Sequence, residues 1–269
     1  MTNHRYMGWF IVTAALILSA CGGGSDEDKA KPQTDGAKLH YVEFGDSWPE
    51  GAHCNGCKTF ADLYGVELKE LSGKSVAVTD LLGSKEPGLG AGQPEATATL
   101  LESMRSNKTT RAAVKEADVI LIAAGPNELD QALSASVNGT CGGSDSSDCI
   151  EALGRLWSTN FGAILDEIDV LRDGQPTAIR LVSAANPFVS DEAMSEGLPE
   201  GFATTKGARI FELLTKAMCD AADEHGAVCV DVRPILNGPD LTTPVDENSD
   251  ASMRAVADAL VATGLPELK

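Results

Sequence analysis

Basic residues are scarce in this chain. Lys and Arg number 21 against 40 Asp and Glu, a formal net charge of -19. No basic cluster interrupts the acidity, so a polyanion is repelled and nucleic-acid binding is excluded as a function class. Histidine is scarcer still: the chain has 4, at positions 4, 40, 53 and 225. A general base of the commonest kind therefore has few places to come from. No second Cys-x-x-Cys or His pair completes a tetrahedral ligand set beside Cys54 and Cys57, so neither a metal nor another cofactor is expected. Long apolar runs are also missing. The run from Met7 to Leu18 falls short of the roughly 20 residues that cross a bilayer.

That run has the length of a signal-peptide core instead, with His4 and Arg5 before it. It leads into Leu18-Ser19-Ala20-Cys21, which resembles a bacterial lipobox. On that reading residues 1–20 are removed and Cys21 carries the lipid anchor. The alternative is an ordinary secretory signal in which Cys21 is incidental. Residues 21–38 are dominated by Gly, Ser, Asp, Lys and Pro and read as a flexible acidic tether, because they cannot bury a core. The remaining span, 39–269, is one domain. The expected location is the bacterial cell envelope, on the exported side of a membrane.

Cysteine use agrees with export. Of 7 cysteines, setting Cys21 aside leaves an even set: Cys54, Cys57, Cys141, Cys149, Cys219 and Cys229. Short separations favour three local disulfides, 54–57, 141–149 and 219–229. Cys54-Asn55-Gly56-Cys57 has the spacing of a redox dithiol, but it lacks the thioredoxin-like setting such a motif needs, and a structural staple is preferred.

From Leu39 the chain alternates short apolar runs with longer amphipathic ones. Leu39–Phe44, Ser75–Thr79, Asp118–Ala123, Ala178–Ser183 and Ala227–Val232 read as strands, and their continuous apolar character fits burial on both faces. Lys58–Leu71, Glu95–Ser106, Cys149–Arg172, Gly207–His225 and Ser252–Thr263 read as helices, the last capped by Ser249 or Asp250. The repeat predicts a three-layer α/β/α sandwich around a five-stranded parallel sheet. Loops are expected at 83–94 and 131–148, on the side where sites form in such sheets.

Two strand ends carry polar motifs. Gly45-Asp46-Ser47-Trp48 follows the first strand and Gly125-Pro126-Asn127-Glu128 the third. A serine exposed in a tight turn can act as a nucleophile if a base takes its proton, and an amide N–H can donate to an oxyanion. Each motif is also ordinary turn or cap chemistry.

Together the two motifs resemble those of the SGNH/GDSL hydrolase family. The resemblance covers residues 39–264 and implies a flavodoxin-like sandwich and serine ester hydrolysis. Residue by residue, it implies Ser47 as nucleophile and Asn127 in the oxyanion hole. Gly83 is the choice for the hole's glycine, with Gly88, Gly90 and Gly92 as rivals. Glu128 stands where the family usually has Asp. The family's closing Asp-x-x-His is not found. Aligned from the last helix, Pro244 and Glu247 fall at those two positions, and an ordinary carboxylate is a poor base for a serine. His40 and His225 sit at the wrong edge of the sheet, which leaves His53 as the candidate base. Asp246, Glu247 and Asp250 read best as a solvated helix cap.

The expected function is a membrane-anchored esterase or lipase-like enzyme acting on an ester of a lipid, a glycan or a small molecule. The alternative is a catalytically impaired module of the same fold that binds an acyl or glycan ligand. An anchored redox protein using Cys54 and Cys57 ranks below both. The chain is expected to be a monomer.

Overall fold

The computed structural model describes residues 38–52, 54, 56–85, 96–190, 197–244 and 246–268. Every element below belongs to the compact unit Asp35–Lys269. The expectations for the signal peptide, Cys21, the tether, His53, Gly88, Gly90 and Gly92 lie outside the described residues.

Five strands form one sheet: β1 (Leu39–Gly45), β2 (Val76–Leu82), β3 (Val119–Ala123), β4 (Ala178–Val182) and β5 (Val228–Val230). All pairs are parallel and the order is β2-β1-β3-β4-β5. The principal helices are α2 (Phe60–Ser72), α3 (Ala96–Ser106), α4 (Lys108–Glu116), α5 (Leu129–Val137), α6 (Asp148–Arg172), α8 (Ala208–Glu224) and α10 (Asp250–Ala262). Single-turn helices α1 (Ser47–Glu50), α7 (Pro187–Ser190) and α9 (Arg233–Leu236) follow β1, β4 and β5. This is the expected three-layer sandwich.

Alternation along the strands sorts side chains into two cores. Val42, Phe44, Ile120, Ile122, Ile179 and Leu181 face one way and pack with apolar residues of α3, α6 and α8. Leu39, Tyr41, Val119, Leu121, Ala178 and Val182 face the other and pack with α2 and α10. The second face also buries two charged-type side chains, Glu43 and Arg180.

Local sequence explains the helix boundaries. Thr59 caps α2 in a reciprocal box with Asp62. Asn107 caps α4 by accepting from the Thr109 N–H at 2.9 Å. Ser249, one of the two expected caps, accepts from the Ser252 N–H and starts α10. These side chains satisfy amide groups that the first turn leaves unpaired.

The structure differs most from the sequence expectations at four places. The segment expected as a loop at 131–148 begins inside α5. Its Gly- and Ser-rich second half hid a short amphipathic stretch, Leu129, Ala132 and Ser136, whose spacing places one face in the core. Helix α4 was not anticipated, because it buries only Thr110 and Val114. Strand β2 starts one residue later than expected and runs on past Thr79 to Leu82, because pairing with β1 continues to Gly45↔Leu82. Strand β5 is confined to Val228–Val230, its flanks turning away into the loops on either side.

The disulfides are local, as expected: Cys54–Cys57, Cys141–Cys149 and Cys219–Cys229. The last joins α8 to β5.

Candidate active site

The strand order reverses direction at β1, whose following chain crosses to β2 on one side while β3 lies on the other. In an open parallel sheet the crevice at such a switch point, beyond the carboxyl ends, is where ligands bind. Three adjacent strands end level there. Gly45 is in register with Leu82 of β2 and with Ala123 of β3. Ser47, Gly83 and Asn127 follow those residues by one to four positions. The register therefore brings all three sequence-predicted residues to one rim.

Ser47 opens the single turn α1 and is 9% exposed. Asp46 shapes this turn. Its Oδ1 accepts from the Trp48 N–H at 3.2 Å, and its own N–H donates to the Ala123 carbonyl at 3.2 Å. The same carboxyl also takes the Gly125 N–H. One side chain thus fastens the serine turn to the turn that carries Asn127.

Asn127 lies half-buried in the one-turn 3-10 helix Pro126–Glu128. Gly125, which starts that turn, has φ of +132°, and a Cβ there would lie 2.8 Å from Leu214 Cδ1. Only glycine combines that backbone with that clearance. Gly83 begins a 3-10 turn directly after β2. A Cβ on Gly83 would collide with the Glu50 carboxyl, so packing alone accounts for a glycine at this position.

Trp48 builds one wall. Its ring packs on Phe60, centroids 4.7 Å apart, and its indole N–H donates to the Glu247 carbonyl at 3.5 Å. The segment before α10 therefore reaches Trp48, the residue after Ser47. Asp246 and Asp250 are exposed, and Asp246 Oδ1 accepts from the Asn248 N–H at 3.0 Å. Both behave as solvated residues around the start of α10.

The two described histidines lie elsewhere. His40 is in the first turn of β1's amino end, where its backbone N–H donates to Asp118 Oδ2 at 2.8 Å. His225 follows α8, and its Nδ1 is 2.8 Å from Asp169 Oδ2. Both stand at the amino edge, as the sequence indicated.

Below the rim sits a network that sequence reasoning missed. Glu128 Oε1 accepts from the Thr97 N–H at 2.8 Å and from the Thr97 hydroxyl at 2.5 Å. Asn160 Nδ2 donates to Thr97 Oγ1 at 2.8 Å. The partners are 31 and 63 residues apart in sequence, so no local spacing could reveal them. Burial raises the Glu128 pKa above the usual carboxylate range, against the stabilising bonds from Thr97. Burial likewise pushes Asp46 up to about 7, opposed by the N–H groups of Trp48 and Gly125.

Solved structures share this architecture. A lipase from a goat rumen metagenome superposes with a TM-score of 0.62 at 18% identity, covering 86% of this chain and 100% of that one. The fold is that of the SGNH hydrolases. An extracellular lipase from Streptomyces rimosus has a TM-score of 0.52 at 14% identity, covering 82% of this chain and 99% of its own. A phospholipase A1 from Streptomyces albidoflavus has a TM-score of 0.52 at 12% identity, covering 85% and 100%. No protein-family model and no curated protein sequence matches the chain. At these identities the likeness to SGNH structures is one of fold.

Proposed function

We propose that the chain is a serine ester hydrolase of the cell envelope, exported and held to a membrane by a lipid on Cys21. The observation that carries the chemistry is the convergence of Ser47 and Asn127 on adjacent, level strand ends of a lipase-like sheet. Ser47 Oγ attacks the ester carbonyl. The Ser47 N–H, the Gly83 N–H and the Asn127 amide hold the negative oxygen of the tetrahedral intermediate, which collapses with loss of the alcohol. Water then releases the acid and restores Ser47. The proton moves through His53. Of its sequence neighbours, Ala52 returns to the serine: its N–H donates to the Ser47 carbonyl at 3.0 Å. The substrate is an ester of a lipid, a glycan or a small molecule, with Trp48 along its path.

A second reading is a ligand-binding module that has lost catalysis. It is favoured by the missing Asp-x-x-His motif: aligned from the last helix, Glu247 falls where the family has His. A fluorophosphonate probe separates the two on the full chain. Labelling that disappears in Ser47→Ala, together with hydrolysis of short-chain aryl esters, supports the enzyme. Absence of both supports the binding module. His53→Ala with undiminished turnover eliminates His53 as the base. Incorporation of a palmitate analogue that is lost in Cys21→Ser tests the anchor.

A further inference from the structure

An oxyanion donor works only when it is fixed in advance, within about 2.7 to 3.1 Å of the charge it will meet. Asn127 lies in the turn Pro126–Glu128, and the two ends of that turn are held in different ways. At the near end, Gly125 is pressed against its neighbours: a Cβ there would lie 2.8 Å from Leu214 Cδ1 and 3.6 Å from Trp157 Nε1. At the far end, the tie is the Glu128 side chain.

Glu128 is buried, and its carboxyl meets the first turn of α3. Oε1 accepts from the Thr97 N–H at 2.8 Å and from the Thr97 hydroxyl. Thr97 is the second residue of α3, so its amide is one that the helix itself leaves unpaired. The Thr97 hydroxyl oxygen accepts from Asn160 Nδ2 at 2.8 Å, which leaves its single proton for Glu128. The chain Asn160–Thr97–Glu128 therefore runs in one sense and joins α6, α3 and the Asn127 turn. All three side chains are buried, so water does not compete for these bonds. A cap for α3 alone would not need this arrangement. A short polar residue beside the helix start suffices, as Asn107 does for α4. Glu128 comes instead from 31 residues away, and burying its carboxyl carries a cost that a local cap avoids. What the arrangement fixes is the residue next to it, Asn127.

We propose that Glu128 is a positioning residue that clamps the Asn127 turn to α3 and α6, and so holds the oxyanion amide in place for Ser47. The reaction it serves rests on the serine-hydrolase reading; the clamp itself rests on the hydrogen bonds. It works through an acceptor at Oε1 and needs no change of charge.

The test uses the full chain and compares wild type with Glu128→Ala, Glu128→Gln and Thr97→Val, by kcat and KM for a short-chain aryl ester. Glu128→Ala is expected to lower kcat about 10- to 100-fold with KM within about threefold, as for a misplaced group rather than lost binding. Glu128→Gln keeps an acceptor for Thr97 and is expected to recover about tenfold of that loss. Thr97→Val removes the hydroxyl but keeps its shape, and is expected to lower kcat about 3- to 10-fold. Combined with Glu128→Ala, its effect should be less than additive, because both break one chain of bonds. A folded Glu128→Ala enzyme with wild-type kcat overturns the clamp, and so does a Glu128→Gln enzyme as slow as Glu128→Ala. If Glu128→Ala does not fold, an undiminished kcat in Thr97→Val overturns it. A wild-type protein with no turnover and no Ser47 labelling sinks the hydrolase reading instead. The clamp is then read by amide hydrogen exchange at the Glu128 N–H, which closes the turn on the Gly125 carbonyl at 3.1 Å. In Thr97→Val it should exchange about tenfold faster than in wild type while the β3 amides keep their rates. Equal rates at Glu128 overturn the clamp whatever the activity.

Discussion

The two ends of the sheet treat buried charge in opposite ways. Toward the amino end, Arg180, Arg172 and His225 each have partners. The Arg180 side chain, fully buried, donates to both Glu267 carboxylate oxygens at 2.8 and 3.1 Å, to the Gly264 carbonyl at 2.7 Å and to Thr263 Oγ1 at 2.8 Å. Arg172 donates to the carbonyls of Lys115 and Pro176 and to Thr177 Oγ1. His225 has Asp169. At the carboxyl end, Asp46 and Glu128 are buried with oxygens left over. The β4 and β5 ends on that same side are satisfied: Asn186 N–H donates to Asn237 Oδ1 at 2.8 Å, and Asn237 Nδ2 returns to the Asn186 carbonyl at 3.2 Å. Among the described residues, the buried carboxyl oxygens without a hydrogen-bond partner are those of Asp46 and Glu128, at the β1 and β3 ends. Matched buried charge locks a fold, whereas uncompensated polarity costs stability and marks the places where function is served.

This contrast can be broken by mutation. Ser47→Ala should abolish turnover, by at least about a thousand-fold, with the folded state intact. Steady-state hydrolysis and circular dichroism check both halves. Asn127→Ala should lower kcat by about 100- to 1,000-fold as one oxyanion donor is lost, again without loss of stability. Arg180→Met inverts the pattern. It strands Glu267 and the carbonyls of Ile179 and Gly264, so denaturant unfolding should show a loss of about 2 to 4 kcal/mol. That is less than for a fully enclosed partner, because Glu267 is 20% exposed and can rehydrate. Its kcat at low temperature should match wild type, and a drop in kcat would mean that the two ends are not separable.

The smallest effect concerns pH. Burial raises Asp46 from 3.8 to about 7. Burial, then the nearby Asp80 and Asp62, raises Glu43 from 4.5 to about 8, with Lys85 and Tyr41 opposing. Both groups are protonated when folded but ionised when unfolded across the interval between those values. Their stabilising contribution is complete below pH 4 and fades as pH rises through about 8. Urea unfolding at pH 5 and pH 8 should show wild type the weaker at pH 8. Asp46→Asn should reduce that difference by about 1 to 2 kcal/mol, and an unaltered difference would show that Asp46 is ionised in the fold.

Much of the architecture could be read from the chain. Apolar runs located all five strands, because strands covered on both faces need continuous hydrophobic character. Helices with a broad apolar stripe, such as α6 and α8, were equally visible. Helix α4 was not, since two buried side chains leave too weak a pattern, although its Asn107 cap was there to be found. The rim was legible in Ser47 and Asn127 because each lies within four residues of a strand end. Thr97, Asn160 and Trp157 were not legible: they come from α3 and α6 and meet Glu128 only after the helices have packed.

By itself, then, the sequence determined the layers, the strand ends and the residues that end them, since periodicity and turn chemistry are local properties. Which ends become neighbours was decided by tertiary structure alone. The order β2-β1-β3 sets Ser47 between Gly83 and Asn127. The packing of α3 and α6 onto that rim withdraws Glu128 from water. Whether a carboxyl is an exposed anion or a buried acid depends on what covers it, and that cover is assembled from distant parts of the chain.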